Sequence, residues 1–219
     1  MTDPRFAVLG FPPWRVLRPR LPRFLLGLLC LGGGLALMVE ARLGVSPFDV
    51  LHQGIARHTG LSFGTVVVLL GVVILLAWIP LHQRLGIGTV LNTLTVGFLI
   101  DAGLWLIPEP DVLVARWLML LVGVVVTGLG MGLYIGSALG PGPRDGVMTA
   151  IAARGHPLWL VRTIIELTAL IVGWVLGGNV GVGTVIFAFG IGPIGHFFLD
   201  RLHLGVPAGT DLGPGASPE

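Results

Sequence analysis

Few residues in this chain carry chemistry beyond packing. Glu166 follows Arg162 by four positions in an apolar stretch, so the two share a helix face and can pair. A charge inside an apolar helix is costly, which makes ionisable groups there functional candidates. Glu166 is the residue best placed to carry a coupled proton, with Arg162 as its partner. A purely structural ion pair, with Arg162 reaching for the interface, would account for the same spacing. Asp49 and Asp145 each lie two positions after a proline that suits the first turn of a helix. A helix N-terminus offers unpaired N–H groups and partial positive charge. In inverted-repeat transporters such ends hold anionic substrate groups. A substrate site between the two turns is one reading; capping of the two helices by Asp49 and Asp145 is the other. Arg144, next to Asp145, can bind an anion, pair with that aspartate, or mark the cytoplasmic side. Asn92, with Thr93 and Thr95, makes one apolar segment unusually polar, fit either to line a path or to hydrogen-bond between helices.

These residues sit on a repeated frame. Leu43-Gly44-Val45-Ser46-Pro47-Phe48-Asp49 recurs 96 places later as Leu139-Gly140-Pro141-Gly142-Pro143-Arg144-Asp145. Upstream, Gly32, Gly34 and Leu37 fall on Gly128, Gly130 and Leu133. Downstream, Gly86-Ile87-Gly88-Thr89-Val90 recurs as Gly181-Val182-Gly183-Thr184-Val185, 95 places on. Self-similarity at a fixed spacing is the signature of duplication. Arg144 breaks the symmetry, since its counterpart is Phe48.

The 219 residues are 54% hydrophobic and 11% charged, with a mean hydropathy of +0.93. Soluble domains carry roughly 25% charged residues, so this surface must be solvated by lipid. All thirteen basic residues are arginines and many precede residue 24, a topology signal and not a nucleic-acid footprint. The single cysteine, Cys30, excludes an internal disulfide. No His-Glu-x-x-His metal motif, nucleophile elbow, P-loop or dinucleotide fingerprint is present, so neither an enzyme nor a cofactor or metal is expected. The Gly-x-Gly-Thr blocks suit close packing better than phosphate binding.

Read in order, residues 1–23 form a basic leader whose prolines should break any helix. It either skims the cytoplasmic membrane surface or is disordered. Spans are expected at 24–43, 61–80, 86–108, 112–139, 157–178 and 181–199, with Pro193 a kink in the last. Ser46–Gly60 and Gly142–His156 are too short to span and read as amphipathic or re-entrant helices. In the first of these, Ser46 is a natural N-cap. Residues 24–108 thus form a first three-helix repeat, 112–200 a second, and 204–219 a disordered tail. Three spans per repeat invert the second half. With the N-terminus inside, ten arginines fall on inner segments and three on outer ones, which favours cytoplasmic termini. Gly128, Gly132 and Gly136 form a smooth stripe for close helix packing, within one subunit or in a homodimer.

Gly44-Val45-Ser46-Pro47-Phe48-Asp49-Val50-Leu51-His52-Gln53-Gly54, Gly86-Ile87-Gly88-Thr89-Val90-Leu91-Asn92 and Gly140-Pro141-Gly142-Pro143-Arg144-Asp145-Gly146 together resemble the YczE-type bacterial membrane proteins, grouped loosely with the YitT-like ones. Val161-Arg162-Thr163-Ile164-Ile165-Glu166 matches that pattern too. The resemblance covers roughly residues 24–200 and implies a polytopic inner-membrane protein of bacteria; it brings no settled activity with it.

The sequence therefore leads to an all-α polytopic membrane protein whose first partner is the lipid bilayer. Its leading function is transport of a small polar or anionic solute. Asp49, Asn92, Arg144 and Asp145 would bind that solute, and Glu166 with Arg162 would move a proton. The alternative is a non-transporting scaffold or accessory protein of a membrane complex, secretion or biosynthesis system.

Overall fold

A computed structural model describes residues 12–205, apart from His82 and Arg84. The described residues fold into α-helices only: α1 (Trp14–Ala41), α2 (Pro47–Thr59), α3 (Phe63–Leu81), α4 (Ile87–Leu106), α5 (Leu113–Gly136), α6 (Pro143–Ala152), α7 (Leu158–Val175) and α8 (Val182–Leu202). Six are long and apolar enough to cross a membrane, all but α2 and α6. Large apolar side chains point outwards, among them Ile79, Trp105 and Phe189, as they must where the surrounding solvent is hydrocarbon.

The first span departs from expectation. Pro19 and Pro22 do not break the leader; α1 starts at Trp14 and runs through both. A helical proline removes one hydrogen bond, here those to the carbonyls of Arg15 and Arg18. Arg15, Arg18, Pro19 and Pro22 all lie on the exposed side, where water or lipid headgroups can meet those carbonyls. On the opposite side Arg20 is buried and donates to Ser137 O at 2.8 Å and Gly205 O at 2.7 Å. Tertiary anchoring thus holds a turn that local propensity disfavours. Pro193 likewise lies inside an unbroken α8. The expectations for residues 1–11, for 206–219 of the tail, and for His82 and Arg84 fall outside the described residues.

Glycine sets how the spans pack. α1 and α5 cross antiparallel, with Gly27 against Gly130 and Gly34 against Gly123. A Cβ at Gly27 would stand 2.7 Å from Tyr134 N, and one at Gly34 would stand 2.7 Å from Thr127 N. α4 lies on α1 through Gly32 and Gly103; α8 lies on α5 through Gly128 and Gly132. The Gly128, Gly132 and Gly136 stripe is filled by Ile194, Phe198 and Leu202 of α8, inside the subunit. α3 and α4 touch backbone to backbone at Gly64 and Gly97. Each short helix packs on a span of the other half: α2 on α7 through Gly54 and Gly173, and α6 on α3 where Gly146 meets the Trp78 ring.

The repeated motifs dock on one another. α1 and α5 both end in a left-handed step, with Arg42 at φ 53° and Ala138 at φ 58°, followed by Gly44 at 107° and Gly140 at 141°. Such backbone favours glycine, and a Cβ would also collide. At Gly44 it would stand 2.6 Å from Gly181 N, and at Gly140 2.5 Å from Thr89 Oγ1. The carbonyl between them is then met from the other half: Leu43 O accepts from Gly183 N at 2.7 Å, and Leu139 O accepts from Gly88 N at 2.9 Å. The two Leu-Gly turns and the two Gly-x-Gly-Thr blocks are therefore mates, each turn seated on the block of the opposite half.

Candidate functional site

The N-termini of α2 and α6 open onto one cavity of about 90 Å³. Its wall includes Leu31 and Leu35 of α1 and Val67, Gly71 and Ile74 of α3, residues from the interior of those spans. Asp49, Asn92, Arg144 and Asp145, the four residues singled out as binding candidates, all line it. Arg162 and Glu166 do not. They pair with each other, Nε to Oε1 at 2.9 Å, with side chains 43% and 25% exposed. The field of Glu166 still reaches Arg144, behind those of Asp145 and Asp49.

The two aspartates are not equivalent. Ser46 is the N-cap of α2, accepting from Asp49 N at 3.2 Å, and its own hydroxyl donates to Asp49 Oδ2. His52 Nδ1 lies 3.1 Å from Asp49 Oδ1. Both carboxylate oxygens of Asp49 are thereby engaged. Burial works against its charge, but the His52 hydrogen bond and charge, the Ser46 hydroxyl and Arg144 outweigh burial. They hold the Asp49 carboxyl below the usual carboxylate range. In α6 the N-cap is Gly142, which has no hydroxyl to offer. Asp145 accepts instead from the Tyr134 hydroxyl, Oη to Oδ2 at 3.2 Å, and its Oδ1 takes no hydrogen bond from any described residue.

Arg144 is held without being satisfied. Its Cζ lies 5.5 Å from the Phe48 ring centroid, in cation–π range. Among the described residues its guanidinium makes no hydrogen bond and no ion pair within 4.0 Å. Phe48 and Arg144 occupy equivalent positions in the two recurring motifs, and they meet each other. His52 stacks edge-on to Phe63 at 5.9 Å and is buried.

His52, Tyr134 and Phe48 complete the site and are absent from the sequence-derived set. The signal for His52 was its three-residue spacing from Asp49, which shares a helix face; a search for metal spacing passes over it. Tyr134 is the only tyrosine in the chain. No group of three or more potential metal ligands occurs among the described residues.

Fold and cavity together define a polytopic, all-helical membrane protein with a charged cavity among its helices. The chain belongs to a family of unknown function, DUF6198, whose pattern matches residues 19–200. It is 36% identical over 198 residues to an uncharacterized protein of Haemophilus influenzae (strain ATCC 51907 / DSM 11121 / KW20 / Rd), covering 90% of this chain and 91% of that one. It is 34% identical over 179 residues to the uncharacterized membrane protein YczE of Bacillus subtilis (strain 168), covering 80% and 83%. It is 27% identical over 182 residues to the uncharacterized protein YyaS of the same organism, covering 80% and 89%. The resemblance to YczE-type proteins is thus a family membership. No solved structure matches the chain.

Proposed function

We propose that this protein is a small-solute carrier of the bacterial inner membrane, built from two inverted three-span repeats with both termini cytoplasmic. One observation carries the reading: a cavity among the helices is lined by Asp49, Arg144 and Asp145, and the guanidinium, set against Phe48, donates no hydrogen bond to any described residue. Ionisable groups in such a place are costly to keep for packing alone. The antiparallel crossing of α1 on α5 and the mated turns support the inverted repeat, and α2 and α6 act as re-entrant helices. Their N-termini meet at the cavity as half-helices do at transporter midplanes. The bound solute is small and polar or anionic. The Arg162–Glu166 pair flanks the site on α7 and passes a proton as the site reloads.

The test is uptake into liposomes holding purified protein, with a panel of small anionic, cationic and zwitterionic solutes and a pH reporter inside. Wild type is expected to move at least one solute with a linked proton flux, and Glu166→Gln to lose the proton flux while staying folded. No flux of any solute through folded wild type would overturn the carrier and favour a scaffold role.

A further inference from the structure

The free valences of the cavity come in both signs. Arg144 presents a guanidinium that donates to nothing among the described residues. Next to it Asp145 presents Oδ1, while Oδ2 is held by Tyr134 at 3.2 Å. Asp49 is different, because Ser46 and His52 already occupy its two oxygens. The open pair is therefore one donor fork and one acceptor on adjacent residues at the start of α6.

Charge narrows the ligand further. Asp49 and Asp145 against Arg144 give the wall a net charge of minus one, which becomes zero when His52 carries a proton. A simple anion on Arg144 would add a further negative charge in a low-dielectric chamber, which is expensive. A simple cation on Asp145 would leave the donors of the half-buried Arg144 guanidinium unmet, and donors shielded from water and left unmet carry their own cost. A solute that brings a carboxylate and an ammonium group meets both valences and adds no net charge. Size limits it as well, since about 90 Å³ is far below the roughly 300–1,000 Å³ of pockets for drug-sized ligands.

We propose that the cavity binds a small zwitterion of the amino-acid type, its carboxylate on the Arg144 guanidinium and its ammonium group on Asp145 Oδ1. This rests on the carrier reading of the same cavity and names its substrate class. Phe48 backs the guanidinium, and Tyr134 fixes the carboxylate that takes the ammonium group.

Purified full-length protein in detergent is titrated calorimetrically at neutral pH with three probes: glycine, acetate and methylammonium. The last two are the separate charged halves of the first. Glycine is expected to bind. Acetate and methylammonium, each able to make only one of the two charge-assisted hydrogen-bonding interactions, are expected to bind at least about tenfold more weakly. Arg144→Gln and Asp145→Asn are each expected to weaken glycine by about tenfold or more; the wild-type comparison of probes stands even if a variant fails to fold. Acetate binding as tightly as glycine would overturn the proposal in favour of an anion site, and methylammonium doing so would overturn it in favour of a cation site. Glycine failing to bind would also overturn it. In all three cases flux of some other solute in liposomes would leave the carrier reading standing, and loss of all flux would remove both.

Discussion

Gly32, Gly33 and Gly34 offer a test of the helix crossing that positions the cavity. A Cβ on Gly34 would stand 2.5 Å from Thr127 Oγ1, 2.7 Å from Thr127 N and 2.8 Å from Gly123 O. The hydroxyl can turn away, but the two backbone atoms cannot. Ordinary contact begins near 3.4 Å, so Gly34→Ala must push α1 and α5 apart by about 0.6–0.7 Å, a gap that forfeits a quarter to a half of each contact's dispersion energy. Overpacking of this kind costs about 1–3 kcal/mol. With about 2 kcal/mol taken as the middle of that range, alanine returns up to about 1 kcal/mol through its helix propensity, which leaves a net loss of about 1–2 kcal/mol. For a chain of this size that is a fall in melting temperature of about 2–8 °C, read by thermal unfolding of the purified protein in one detergent. Gly33 is the internal control, since a Cβ there meets nothing within 4 Å. Gly33→Ala is expected to be neutral or to raise the melting temperature. The reasoning is refuted if Gly33→Ala is as damaging as Gly34→Ala, or if Gly34→Ala leaves stability unchanged.

Two further substitutions probe how the short helix and the second span are held. Asp101 of α4 caps α3, accepting from Gly64 N at 2.7 Å and from the Ser62 hydroxyl at 2.5 Å; Asp101→Ala is expected to cost about 1–2 kcal/mol, seen as earlier thermal unfolding, and an unchanged melting curve would contradict the cap. Gly146→Ala places a methyl group on the Trp78 ring, whose indole N–H donates to Pro143 O at 2.9 Å. It should displace the start of α6 and weaken ligand binding more than stability, so unaltered calorimetric binding would count against the placement of Arg144.

The spans were legible because long apolar runs between Gly and Pro punctuation leave a lipid-facing chain few other options. Ser46, Pro47 and Asp49 marked the start of α2 through ordinary cap chemistry. The start of α1 was not legible, because local rules say that Pro19 and Pro22 stop a helix while the deciding contacts of Arg20 reach Ser137 and Gly205, far away in sequence. The recurring glycine blocks were visible in the letters, but not that Leu43 would seat on Gly183 and Leu139 on Gly88. The difference between the aspartates was written in the letters: Ser46 corresponds to Gly142, so Asp145 lacks the hydroxyl that engages Asp49. What the letters could not supply was Tyr134 as its substitute, eleven residues back on another helix. Phe48 and Arg144 stood out only as mismatched positions, and their meeting follows from how the two halves come together.

The central claim is a cavity that serves both sides of the membrane. Val96 lines it and is 5% exposed, and Cys30 is the chain's only cysteine. Val96→Cys in a Cys30→Ala background, with a membrane-impermeant thiol reagent added first to one face of the membrane and then to the other, reads access directly. A carrier predicts labelling from both faces, slowed by a bound solute. Labelling from one face only, or from neither, would contradict it.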